Sequence, residues 1–181
     1  MKAYLSIDLD FWNPFTFPKA FLDRLMATGL PVTVVSQHHH LVPHIKQFDF
    51  DTLINLDYHS DVADRDSGRK KFSLQIPLEC GTWVNHIDGR GKRYIWSYPE
   101  PECYYRGRGT CHDTHNPFDA KNPEEVCRWT EVCHRLLWYP RHCDLVAAGI
   151  ALSKGWAEDR LIERFLEWQK DYPQLPRKRA A

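Results

Sequence analysis

Residues 3–12 read AYLSIDLDFW. Ala3 to Ile7 are apolar apart from Ser6, and the run then closes on two carboxylates, Asp8 and Asp10. A short apolar run without alternation is the pattern of a strand buried on both faces. Acids directly behind such a strand need something to hold, because burial without a partner is costly. Two later segments repeat the design. PVTVV, residues 31–35, is a β-branched strand bounded by proline and is followed by Ser36-Gln37-His38-His39-His40. TLINL, residues 52–56, is a third strand and is followed by Asp57-Tyr58-His59-Ser60-Asp61.

Helical patterns fill the gaps. Residues 18–28 place Phe21, Leu22, Leu25 and Met26 on one helix face, with Gly29 as the stop. Leu41 to Phe48 suits a short helix. Strand, helix, strand, helix, strand with short links predicts an α/β chain with right-handed crossovers and a parallel sheet. Arg93–Trp96 and Leu145–Leu152 read as two further strands. Trp156–Trp168 reads as a terminal amphipathic helix with Leu161, Ile162, Phe165 and Leu166 facing in. Residues 98–123 are rich in Pro, Gly and Tyr without periodicity, the pattern of a long surface loop.

The 181 residues suffice for one domain with a real core, expected over 1–172, with a C-terminal tail over 173–181. Basic and acidic residues balance at 24 each, so charge points to neither nucleic acid nor an anionic membrane as partner. No stretch approaches the roughly 18 to 20 apolar residues of a membrane span, and no signal peptide is visible. Six scattered cysteines fit the reduced thiols of a cytoplasmic protein. The seven tryptophans fit a core role first. Nothing in the chain fixes an oligomeric state.

Parallel sheets bind ligands at the carboxyl ends of their strands. The three polar clusters therefore meet at one sheet edge. Four carboxylates there repel one another unless cations neutralise them. Oxygen-rich ligation with a minority of imidazole suits Mn²⁺, and less strongly Fe²⁺, Co²⁺ or Zn²⁺. In Asp57-x-His59-x-Asp61, and in Asp8-x-Asp10, alternate residues of an extended segment project to one side. Taken singly, an Asp-x-Asp is better explained by a turn or cap, and a His triplet is as well explained by a solvated surface. Taken together, the clusters predict a shared metal site. Six ligand side chains exceed what one ion needs if water keeps a place, so two ions fit better.

These motifs resemble those of the ureohydrolase superfamily, the arginases and agmatinases. Asp57-Tyr58-His59-Ser60-Asp61 is similar to its Asp-x-His-x-Asp motif, and Ser6-Ile7-Asp8-Leu9-Asp10 to its Asp-x-Asp motif. Gln37-His38 resembles its Asp-His dipeptide, with Gln in place of Asp. A compact branch that includes peptide arginases is closer. Its Asp-Leu-Asp-Phe-aromatic run with a nearby Asn-Pro is matched by Asp8 to Pro14, and its His motif by His38 with Leu41-Val42-Pro43-His44-Ile45. The resemblance covers most of residues 4–86 and, more faintly, 143–168. The motif order is permuted, since ordinary arginases place Asp-x-Asp last, and the chain is much shorter.

The resemblance implies a three-layer αβα arginase-like fold with a mainly parallel sheet, and two Mn²⁺ ions. Asp8 and Asp57 would bridge them, Asp10 and His59 would complete one, and His38 and Asp61 the other. The implied activity converts arginine side chains of a ribosomal precursor peptide to ornithine and urea. A guanidinium carbon is a poor electrophile, and a metal pair meets that by activating water near neutral pH. Asp61 is the expected relay to the leaving amine, and His39 or His40 the expected proton exchanger. Glu79 or Glu158, with its neighbour Asp159, is the expected carboxylate partner of the guanidinium, although acids at 158–159 also suit a helix start. Cys103, Cys111, His112, His115, Cys127 and Cys133 lack the spacings of common zinc modules. Arg106-Gly107-Arg108-Gly109 is a possible contact for an acidic leader.

Three alternatives stand beside this. One is hydrolysis of a small guanidino compound such as arginine or agmatine. Another is a deacetylase of the related fold, with one Zn²⁺ and a His pair. The third is a metal-bound peptide-binding module without turnover, against which the intact ligand set argues. Val62 to Asp66, after Asp61, lack an Asn/Ser loop for free α-amino and α-carboxyl groups, which favours a peptide.

Overall fold

The computed structural model describes residues 2–12, 17–57, 59, 61, 78–97, 130–133 and 144–175. The apolar run that opens the chain becomes β1 (Lys2–Asp8), buried from Ala3 to its end. Burial on both faces follows from its central place. It pairs in parallel with β3 (Thr52–Leu56) on one side and β6 (Asp144–Ala151) on the other. β2 (Val32–Val35) adds to β6, β4 (Arg93–Ser97) to β3, and β5 (Thr130–Cys133) to β4, all in parallel. The strand order is β2-β6-β1-β3-β4-β5. The expected strands lie within a residue or two of these limits. β5 has no counterpart in the sequence reading, because Thr-Glu-Val-Cys is too short and too polar for a period to show.

Alternation of side chains gives the sheet two cores. On one face Leu5, Ile7, Ile54 and Ile150 pack with Leu22 and Leu25 of α1 (Lys19–Ala27) and with Leu161, Ile162 and Phe165 of α3 (Asp159–Gln169). On the other, Tyr4, Leu53, Tyr94 and Trp96 pack with Leu41, Val42 and Ile45. Those three come from a 3₁₀ turn, His38–Leu41, that runs directly into α2 (Val42–Ile45). A second 3₁₀ turn, Trp83–His86, adds Trp83 and Val84 to that core. Helical segments on both faces of a parallel sheet make an α/β arrangement consistent with three layers.

Two glycines shape this frame. Gly29 ends α1 in the left-handed region, with φ +70°, as a C′ glycine does. Gly149 on β6 lies under the His38–Leu41 turn. A Cβ there would sit 2.5 Å from Leu41 Cδ2 and 2.6 Å from the Tyr4 hydroxyl, both fully buried. The turn that carries His38 thus lies against the sheet only because residue 149 has no side chain.

Two expected boundaries move. The helix expected over Leu41–Phe48 is a 3₁₀ turn that starts at His38 and then α2, which ends at Ile45. The helix expected from Trp156 begins at Asp159. Ser153 and Gly155 have positive φ, 44° and 93°, and Trp156 N and Ala157 N both donate to Ser153 O at 2.9 Å. A tight turn therefore occupies 153–157, and Trp156 is in it rather than in the helix. The expected loop 98–123, the Arg-Gly run and Cys103 to Cys127 lie outside the described residues, as does 176–181. Leu175, in the segment expected as tail, is buried against the first core. No helix among the described residues is long and apolar enough to cross a membrane.

Candidate metal centre

The chain leaves β1 for a strand on one side, β2, and returns to the other side with β3. That reversal opens a crevice at the carboxyl end of the sheet, where α/β folds bind ligands. The ends are level there: Ile7 faces Leu56 and Asp8 faces Ala151. Asp8 is the last residue of β1, Asp57 follows β3, His38 lies three residues past β2, and Ser153 lies two past β6.

One local device shapes two of the motifs. Asp8 Oδ1 accepts a hydrogen bond from the Asp10 amide at 3.1 Å, and Asp57 Oδ1 accepts one from the His59 amide at 2.8 Å. Each acid caps its own turn through the residue two ahead, a habit of Asp behind strands and before helices. The convergence of Asp8 with Asp10 thus comes from a 3₁₀ turn over Leu9–Phe11 and not from the extended alternation expected of it. Asp61 is held in the left-handed region, with φ +53°, which an aspartate enters at modest cost.

The six expected ligands lie in one cluster with two centres. His38 Nδ1 is 3.1 Å from Asp8 Oδ2, 2.9 Å from Asp57 Oδ2 and 3.2 Å from Asp61 Oδ2. His59 Nδ1 is 3.5 Å from Asp10 Oδ2 and 3.9 Å from Asp57 Oδ1. Asp8, His38 and Asp57 form one group able to hold a metal ion; Asp10, Asp57 and His59 form another. Asp57 belongs to both, with Oδ2 toward His38 and Oδ1 toward His59. Asp8, expected to bridge as well, belongs to the first group alone, and Asp61 belongs to neither, although its Oδ2 lies 3.2 Å from His38 Nδ1.

The donors fit a cation. His38 Nδ1 is buried within 3.2 Å of three carboxylate oxygens, yet it makes a well-directed hydrogen bond with none of them. Asp10 Oδ1 is buried without a partner too. Ligands that converge on a common point look like this; ion pairs optimised for one another do not. His38 Nε2 lies 2.6 Å from Ser6 Oγ. With Nδ1 as ligand atom, Nε2–H donates to that hydroxyl, the outer contact that fixes a ligating imidazole.

Electrostatics agree. Burial, then the charges of Asp8 and Asp57, push Asp10 up to about 8. Burial, then Asp61, push Asp57 up to about 6. Burial opposes a charge on His59, but Asp10 and Asp57 override it and raise the imidazole to about 9. In the same way Asp57, Asp61 and Asp8 outweigh burial at His38 and hold it well above the usual histidine range. Without a cation the cluster holds protons in its place.

No family model, curated protein or solved structure matches this chain.

His39 and His40 point elsewhere. His39 Nδ1 is 3.3 Å from Cys80 Sγ, and burial lowers its pKa. His40 Nδ1 is 3.1 Å from Ser36 Oγ. Gln37 accepts from Cys80 Sγ at 2.9 Å and donates to Lys154 O at 2.9 Å, tying the end of β2 to the turn after β6. Glu79 is exposed, and its backbone closes a turn with Thr82. Glu158 is the exposed N-cap residue of α3, but its carboxylate makes no capping bond, and Asp159 follows in the first turn.

Four residues that sequence reasoning did not single out hold the ligands. Ser153 Oγ donates to Asp8 Oδ2. Trp83 Nε1 donates to Asp61 Oδ2 at 2.5 Å, and its ring lies 4.5 Å from that of His38. Asn55 Nδ2 donates to Asp57 Oδ2 at 3.3 Å and to the Tyr94 hydroxyl at 3.1 Å. Trp96 Nε1 donates to Asp57 O at 3.0 Å. Ser6 offered the one signal, as the lone hydroxyl in a buried apolar run.

Proposed function

We propose that this chain is a dimetal hydrolase that converts arginine side chains in a peptide to ornithine with release of urea. The observation that carries the reading is Asp57, whose two carboxylate oxygens face two separate ligand groups. A shared carboxylate between two oxygen-rich groups is the donor set of an ion pair, and Mn²⁺ suits those donors best. When bound, such a pair supplies an activated water and stabilises developing negative charge.

The protein's own contribution follows from its contacts. Asp8, Asp57 and His38 would hold a cation at the deeper position, and Asp10 and His59 with Asp57 would hold one at the outer position. Trp83 fixes Oδ2 of Asp61, so a proton travelling to a leaving amine rides on Asp61 Oδ1. His39 lies beside Cys80, and burial lowers its pKa, favouring the neutral imidazole.

Mass spectrometry tests the proposal directly. An arginine-containing peptide incubated with protein and Mn²⁺ should lose CN₂H₂ per arginine, and Asp8→Ala and His59→Ala should abolish the loss. Urea from free arginine or agmatine, with the peptide untouched, would replace this reading with a small-molecule one. Two bound ions with no turnover of any guanidino compound would leave a metal-binding protein of another function.

A further inference from the structure

Trp156 is the most exposed large apolar side chain among the described residues, at 64%. Its ring lies edge-on to that of His59, with centroids 5.6 Å apart. The exposure is built in. Lys154 N donates to Ser36 O at 3.4 Å, Gln37 donates to Lys154 O, and Ser153 is tied to Asp8, so the turn is anchored to β2 and to the centre itself. Gly155, at φ +93°, then turns the chain outward. A helix start at Trp156 would have placed this indole on α3; the turn instead sets it in solvent at the open rim of the outer ligand group. Leaving an indole there forgoes favourable burial unless something else covers it.

We infer that the Trp156 indole is the platform on which the substrate's guanidinium lies. This rests on the reading of the site as one for arginine side chains. An indole face is the best aromatic surface for a cation, and guanidinium stacks on it flat. The stack would hold the cation over His59 and Asp10 while the reacting carbon faces the shared carboxylate.

The indole N–H of Trp156 reports on this in ¹⁵N-labelled protein with diamagnetic Mg²⁺, its signal assigned by its loss in Trp156→Phe. N-acetyl-arginine amide should shift that signal, and the neutral isostere N-acetyl-citrulline amide should not. Trp156→Ala should bind the arginine amide about 2- to 5-fold more weakly, with Trp156→Phe between the two. With Mn²⁺, Trp156→Ala should raise KM for the arginine peptide and leave kcat nearly unchanged. An equal shift with citrulline amide, or unaltered arginine binding by Trp156→Ala, would overturn the platform. A shifted indole without urea from any substrate would keep the platform and sink the hydrolase; urea with an unmoved indole would do the reverse.

Discussion

His38 and His59 each present Nδ1 to carboxylates, but the side chain of His38 is 1% exposed and that of His59 28%. Ser6 and Trp83 contact His38 directly, and Ser153 holds its neighbour Asp8. Around His59 stands the exposed Trp156. The deeper half is closed and held from β1, β6 and the Trp83 turn; the outer half opens to solvent. The difference implies a division of labour. On the proposed reading the closed half would fix one ion, and the open half would be where an exchangeable ion and a substrate meet. Asp57 makes them one centre.

Removing Asp57 should do the most damage. Asp57→Asn should take bound metal from two ions toward none by elemental analysis. It should cut turnover by more than the roughly 10- to 100-fold typical of losing a ligand's outer partner. Yet the metal-free variant should melt above metal-free wild type at pH 8, because the raised pKa of Asp57 means that its ionised form is unfavourable in the fold. Retention of one ion would show that the halves are independent and that Asp57 does not join them.

The histidines separate the halves. His38→Ala leaves three buried carboxylates facing no cation, a change that costs about 3–5 kcal/mol in buried ion pairs. It should lose the inner ion and lower the Tm sharply. His59→Ala should keep one tightly bound ion, lose the other, and lower the Tm less than His38→Ala does. Equal losses in the two variants would erase the contrast between closed and open.

These contrasts were only partly legible in the sequence. Asp8, His38 and Asp57 could be read because each follows an apolar run whose type is unmistakable, so sheet topology brings their backbones together. The partners could not. Ser153 approaches Asp8 only because β6 lies beside β1, a long-range pairing that no local pattern encodes. Trp83 reaches Asp61 from a 3₁₀ turn too short to give a period. Trp156 opens the segment that reads as a helix, and the turn at Ser153 and Gly155 takes it out of that helix. Periodicity reports burial within one element; it is silent about contacts between elements.

Acid and base should then reveal what the cluster holds. Asp10 and Asp57 have raised pKa values, so the folded metal-free chain binds more protons than the unfolded chain from about pH 4 upward, and stability falls as pH rises through about 6 and 8. His59, raised to about 9, contributes stability that is complete below its ordinary pKa and is lost as pH rises through 9. Both act in one direction. The Tm of chelator-stripped protein should drop steadily from pH 5 to pH 9, and Mn²⁺ should restore most at the alkaline end, where no protons compete. A stripped protein whose Tm is flat over that range would mean that the carboxylates are not crowded as described.

Ser153 offers the finest test, because its two features separate. Its hydroxyl donates to Asp8, and its backbone sits at φ +44° while buried. Ser153→Ala removes the donor and keeps the strain; Ser153→Gly removes both. If the hydroxyl orients Asp8, both variants should weaken the inner ion by roughly 10- to 100-fold, as loss of an outer partner does. Glycine should then be the more stable of the two by about 1 kcal/mol, since it enters the left-handed region freely. Metal titration and thermal melts read the two effects apart. Weakening by alanine alone would put the cause in backbone strain, and the closed half would owe its rigidity to the turn and not to the hydrogen bond.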